Sequence, residues 1–352
     1  MNDTERRELE QKRRLELKAH KPLVYDKIIK FDEKFKKGES IAMIDFCYDY
    51  KCNLNCKHCC NSSFEKKDRS MTIEDVRNIS EQADALGLAQ VSISGGEPLT
   101  FDNLDEIILA FQPEKFHIAL STNALLLTPD RAKRLRELGV DKLKISVDSF
   151  DPAKHEANRN KKGVFNKVMD SLAIAKENGF TTSVITVLTK GMAGSKDLEN
   201  MAKYCQENEF SMDIMLAKAI GSWEGKHELL ADPEDTAYID ELHKTYPIVF
   251  RDTMPSYGLD RGCGTVRNQL HITKYGDVLP CVFMHIAIGN IFEEPLKDII
   301  DRGLSIKHFS EYNPLCLSGE DRNFIDKYMT KFYGKPLPLS YKEAFTEEDY
   351  IK

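Results

Sequence analysis

From about Ile41 to Leu216, short β-branched runs alternate with longer stretches whose apolar residues recur at three- and four-residue spacing. That alternation is the signature of repeated βα units and predicts a parallel sheet with crossover helices. The expected strands are Ile41–Cys47, Gln90–Ser94, Phe116–Ser121, Leu143–Asp148, Thr182–Leu188 and Met212–Leu216. The helices between them fall at Thr72–Leu86, Asn103–Phe111, Pro129–Leu138, Phe165–Asn178 and Lys196–Asn208, several closed by glycine, as at Gly87, Gly139 and Gly179. Such units form either an open doubly wound sheet or a partial barrel, and periodicity does not separate the two. Both place functional residues at strand carboxyl ends.

The pattern changes on either side of this region. Residues 1–40 read as a charged helical lead-in, a solvated helix packed on the main domain. After about Gly221 the βα rhythm stops, and a hairpin pattern follows: Gln269–Thr273, a turn at Lys274–Asp277, then Val278–Phe283. The expected division is therefore a lead-in at 1–40, a main domain at 41–220 and a smaller one at 221–352.

Composition narrows the function. The 352 residues carry 50 Lys+Arg against 57 Asp+Glu, a net charge of −7, which argues against a nucleic-acid binder. The amino terminus has no apolar core of the signal-peptide kind, and the longest apolar runs, such as Ile107 to Phe111, fall far short of the roughly 20 residues that span a bilayer. Nine cysteines are too sparse for a disulfide scaffold. A cytoplasmic protein with no membrane partner is expected.

The cysteines are not scattered evenly. Just after the first strand, YDYKCNLNCKHCC sets Cys52, Cys56 and Cys59 at C-x3-C-x2-C spacing. Such a group suits zinc, with His58 or Cys60 as fourth ligand, or an iron–sulfur cluster with one iron left open. The second strand ends in Ser94-Gly95-Gly96-Glu97-Pro98, where paired glycines permit close approach to the main chain. The third ends in Ser121-Thr122-Asn123-Ala124 and the fourth in Ser146-Val147-Asp148-Ser149, with Arg159 following. Helix capping by Ser146 or Asp148 and a solvated Arg159 are the ordinary readings of those residues. Cys205 shares a helix face with Leu198, Met201 and Ala202 and reads as core, as does Cys47 on its strand.

The cysteine loop and the strand ends that follow it resemble the radical S-adenosylmethionine (SAM) superfamily over about residues 41–216. The resemblance implies an α/β fold, a partial (βα)6 TIM-type barrel. It implies a [4Fe–4S] cluster on Cys52, Cys56 and Cys59 whose open iron binds SAM, and a 5′-deoxyadenosyl radical that abstracts hydrogen from substrate. His58 would then pack near the adenine, Gly95, Gly96 and Glu97 would meet the SAM amino group, and Asn123, Ser146 and Arg159 would lie near ribose and carboxylate. Val187 and Leu188 would floor the adenine. Ala124 departs from the glycine usual there.

Farther on, Cys263, Gly276 and Cys281 stand at C-x12-G-x4-C, and Cys316 follows. This resembles the SPASM/Twitch extension of the same superfamily, a smaller C-terminal iron–sulfur domain. It implies one auxiliary [4Fe–4S] cluster on Cys263, Cys281 and Cys316, since Ser318-Gly319 stands where a C-x2-C partner of Cys316 is expected. The fourth position is then open to substrate, or closed by His285 or Asp321. The open form is the expectation. The resemblance also implies an external one-electron reductant of flavodoxin or ferredoxin type. A ribosomally made peptide is the leading substrate, a small sugar or aminocyclitol the alternative, and a non-catalytic iron–sulfur or zinc protein the reading from another class.

Overall fold

The computed structural model describes residues 3–61, 64–253 and 262–352. The lead-in forms three helices, α1 (Asp3–His20), α2 (Pro22–Ile29) and α3 (Phe31–Lys36). The six expected strands follow: β1 (Met43–Cys47), β2 (Gln90–Ser94), β3 (His117–Thr122), β4 (Val140–Ser146), β5 (Thr181–Leu188) and β6 (Ser211–Leu216). They are parallel and neighbour one another in chain order. The crossovers run through α4 (Ile73–Ala85), α5 (Leu104–Ala110), α6 (Pro129–Glu137), α7 (Pro152–Arg159), α8 (Phe165–Glu177) and α9 (Lys196–Glu207). Apart from the short α7, the helices bury an apolar stripe; α4, for example, buries Val76, Ile79 and Ala83 and starts at a capping box between Thr72 and Asp75.

Several boundaries move by a residue or more, among them both ends of β4. Strand β4 begins at Val140, directly after the left-handed turn at Gly139 (φ 88°), and ends at Ser146 rather than Asp148. Helix α7, absent from the periodicity reading, is too short to show a stripe. Asp151 caps it by accepting from Ala153 N and Lys154 N, and Pro152 opens it.

The βα rhythm does not stop at Gly221. Helix α10 (Pro233–Thr245), capped by Asp232, leads to β7 (Val249–Arg251), which pairs parallel with β6. This unit escaped the sequence because β7 is three residues long. On the opposite edge, β8 (Gln269–Ile272) pairs parallel with β1, aligning His271 with Asp45, and turns into antiparallel β9 (Asp277–Leu279). A short strand at Gly289–Asn290 completes the sheet beyond β9. The expected hairpin is therefore present, and it is an extension of the same sheet.

The lead-in is built into the fold by its cations. Lys21 Nζ donates to the carbonyls of Phe116 (3.1 Å) and Gly139 (2.7 Å) and to Asp141 Oδ2 (2.5 Å), at the starts of β3 and β4. Lys27 Nζ donates to Leu88 O and Lys115 O, and Arg13 to Glu209 O. These carbonyls precede strands and lack ladder partners, so the long side chains satisfy them while their stems cover apolar surface. Replacing Lys21 by Met should cost about 2–3 kcal/mol, because it leaves Asp141 and two carbonyls under α2 without their cation. Urea denaturation of Lys21→Met against wild type measures the loss; an unchanged midpoint would mean that the lead-in is held by packing alone.

Candidate active site and auxiliary cysteine site

At the carboxyl end of β1 the chain turns into the loop that carries Cys52, Cys56 and Cys59. The end of β2 holds that loop by backbone contact. Gly96 N donates to Asp49 O and Glu97 N to Lys51 O, both at 2.8 Å. A Cβ on Gly96 would lie 2.1 Å from Lys51 O, and one on Gly95 would lie 2.5 Å from Asp49 O. The two glycines are thus demanded by the cysteine loop itself, whatever ligand lies beyond. The far end of the loop is tied in by Asn61 Nδ2 to Gly95 O at 2.7 Å. Gly221, after β6, closes over it: Ser222 N donates to Cys59 O, and a Cβ on Gly221 would lie 2.2 Å from that oxygen.

Glu97 is buried and accepts from Thr122 Oγ1 (2.6 Å), Asn123 N (2.6 Å) and Leu99 N (3.0 Å). Burial raises its carboxyl pKa against those donors. It fixes the end of β3, where Asn123 reaches across to Asn53 Oδ1 of the cysteine loop at 2.8 Å. Ala124, in the place of the usual glycine, keeps the left-handed backbone at φ 59°.

Arg159 is buried rather than solvated. It donates to Asp148 Oδ1 at 2.6 Å and approaches Cys56 Sγ at 3.7 Å. His58 lies 3.8 Å from the same Asp148 oxygen and 5.7 Å, ring to ring, from Trp223. Burial drops the His58 pKa to about 4, so its ring is neutral at physiological pH. Arg159 Nε and Asp148 Oδ2 are buried without a hydrogen-bond partner. Unsatisfied groups of both signs beside a thiol are what a zwitterionic ligand chelated at that thiol's cluster would satisfy, so the residues fit SAM. Ser146 lines the same cavity as Arg159 and Glu97, a space of about 870 Å³.

The second cysteine set is separate. Cys263, Cys281 and Cys316 are all buried. A hydrogen bond from Cys263, helped by the Lys218 ammonium, draws the Cys316 thiol down to about 7. Of the two non-cysteine candidates, Asp321 is engaged elsewhere, accepting from Phe324 N as a helix cap. His285 packs against Phe64 and Phe332 with both ring nitrogens unpartnered. Among the described residues, no three His, Cys, Asp or Glu side chains converge on the position of a single metal ion.

A model of the radical SAM superfamily matches residues 50–205, and one described as an iron–sulfur cluster-binding domain, SPASM, matches residues 263–318. The chain carries a radical SAM domain followed by a SPASM domain. This radical SAM enzyme carries a [4Fe–4S] cluster that binds SAM and an auxiliary iron–sulfur cluster of SPASM type. It is 29% identical over 178 residues to the probable GTP 3′,8-cyclase of Methanocella arvoryzae, covering 51% of this chain and 57% of that protein. It is 24% identical over 288 residues to the AdoMet-dependent heme synthase of Methanosarcina barkeri, covering 70% and 78%. Its fold is similar to that of Streptococcus suis SuiB bound to precursor peptide SuiA, with a TM-score of 0.59 at 19% identity over 77% of this chain and 67% of that one.

Several residues of this site escaped the sequence reading. Asn53, Trp223, Gly221 and Lys218 carry no motif, although the last three follow β6, a strand end like the others. Gly96→Ala should displace the cysteine loop, lowering iron content at that cluster and destabilising the fold by about 2–4 kcal/mol. Iron analysis and thermal unfolding of the reconstituted variant test this, and full iron loading with unchanged stability would show that the loop does not depend on the contact.

Proposed function

We propose that Cys52, Cys56 and Cys59 hold the SAM-binding [4Fe–4S] cluster, that His58, Gly95, Gly96, Glu97, Asn123, Ser146 and Arg159 form the SAM pocket, and that Cys263, Cys281 and Cys316 hold the auxiliary cluster. Cluster and SAM together supply a 5′-deoxyadenosyl radical, which takes hydrogen from an unactivated carbon. The chain's own part is placement. Arg159 presents its unused Nε to a carboxylate while Asp148 keeps the guanidinium buried and oriented. The loops after β1, β2 and β6 meet at the reacting end, where Gly96 and Glu97 bond to Asp49 and Lys51 and Ser222 bonds to Cys59.

The observation that carries a substrate class is the cavity. The space of about 870 Å³ runs from the cysteine loop through the barrel to the lead-in helices, so the part beside the loop that SAM and substrate would share suits a small molecule. Below the cysteine loop its wall is polar: Asp45, held by Ser94 Oγ (2.5 Å) and His271 Nδ1 (2.8 Å), and Lys144, which donates to Ser92 Oγ (3.2 Å). The substrate we infer is a compact polar molecule carrying hydroxyl or anionic groups for Lys144. A peptide that inserts one residue is the second reading, supported by the fold shared with SuiB in its complex with precursor peptide SuiA.

Anaerobic incubation with SAM and dithionite, assayed for 5′-deoxyadenosine, tests both. A polar small molecule should stimulate product and pass deuterium from the abstracted position into it, and Lys144→Gln should raise the substrate KM about tenfold with SAM affinity unchanged, as loss of a charge-assisted contact predicts. Stimulation by peptides alone would overturn the first reading. Changing Cys52, Cys56 and Cys59 together to Ala should abolish 5′-deoxyadenosine formation and remove about four irons per chain; surviving SAM cleavage would refute the ligand assignment.

A further inference from the structure

Lys218 follows β6 by two positions, and its side chain is only 3% exposed. Its ammonium donates to Asp252 Oδ2 at 2.7 Å and Leu216 O at 2.8 Å, accounting for two of three N–H groups, and sits 4.8 Å from the ring centroid of Phe283. Asp252 is itself fixed, accepting from Leu216 N at 2.8 Å. Burial lowers the pKa of this ammonium, while Asp252, Cys316 and Cys281 raise it; its packing against Gly319, whose N–H bonds to Cys316 O, brings it to the auxiliary cysteines.

The neighbouring turn makes room for it. Gly319, Glu320 and Asp321 all donate their N–H groups to Cys316 O, wrapping the chain tightly round that cysteine. A Cβ on Gly319 would lie 3.1 Å from Lys218 Nζ, 3.2 Å from Cε and 3.3 Å from Cδ. Lys218 therefore occupies the space a side chain at 319 would use, and a positive charge stands beside Cys316 in that space. A buried ammonium with its own carboxylate costs desolvation and contributes little to stability as a pair. Its proximity to the thiols gives it another use.

We propose that Lys218 is a positioning residue that sets the redox poise of the auxiliary cluster, its fixed cation favouring the state that carries one more electron. The physical cause is Coulombic: thiolate ligation makes the site negative, an added electron makes it more so, and a cation in a poorly screened interior stabilises the more negative state. The inference rests on Cys263, Cys281 and Cys316 being the ligands.

The test uses the full chain with Cys52, Cys56 and Cys59 changed to Ala, reconstituted so that only the auxiliary cluster remains, and titrated electrochemically with its paramagnetic reduced state as readout. Lys218→Met and Lys218→Gln should lower the reduced-to-oxidised ratio at fixed potential about tenfold, a 59 mV fall for one electron. Lys218→Arg should stay within about threefold of the parent. A parent that binds no iron would remove the ligand reading and the inference with it. A loaded Lys218→Met protein with the parent's potential would overturn the inference alone. Loss of iron in both neutral variants, with Lys218→Arg still loaded, would also overturn it by showing that the cation is needed for assembly.

Discussion

A carbonyl oxygen at Lys51 and the missing side chain at Gly96 set the terms for the rest of the site. They come so close that only hydrogen fits between them, and the paired bonds from Gly96 and Glu97 to Asp49 and Lys51 follow from that approach. The end of β2 thereby becomes a fixed seat for the cysteine loop. From the same turn Glu97 reaches forward to the end of β3, and Asn123 returns from there to the loop at Asn53. Three strand ends are locked into one hydrogen-bonded ring before any cofactor is considered. Preorganisation of this kind lets a loop with few apolar residues hold ligands in register.

Charge is distributed along the barrel with a clear division of labour. At the strand starts, Lys21 and Lys27 cross from the lead-in to carbonyls that no strand partner satisfies. At the strand ends, Arg159 and Lys218 are each buried against one aspartate and each lie beside a cysteine set. The first group holds the lead-in to the sheet, and the second lies next to the cysteines proposed as cluster ligands. Between the two lies the Asp45 and His271 pair, joined across the β1–β8 seam.

The sheet was legible because its strands are long enough to show β-branched runs, and the cofactor loop because three thiols at fixed spacing have few other uses. What remained hidden is short or depends on contacts far apart in sequence. Strand β7 and helix α7 have too few residues to display a period. The lead-in's lysines look solvated in sequence, since their acceptors are backbone carbonyls about 60 to 120 positions away. Arg159 was found as a candidate, but its partner Asp148 reads equally well as a helix cap, and only the fold joins them. Gly95 and Gly96 stand out in the sequence as a place where a ligand could approach the main chain; that the cysteine loop approaches them equally closely is visible only in the fold.

The parallel pairing of β8 with β1 bears on how such an enzyme could have been assembled. Four residue pairs in register join the auxiliary segment to the strand that launches the cofactor loop. A slip of one residue would turn His271 to the opposite face and leave Asp45 without its imidazole partner. The C-terminal segment is consequently not an interchangeable cassette. Grafting another extension onto this barrel would require matching the exposed edge of β1 residue for residue, so the two halves are constrained to vary together along that seam.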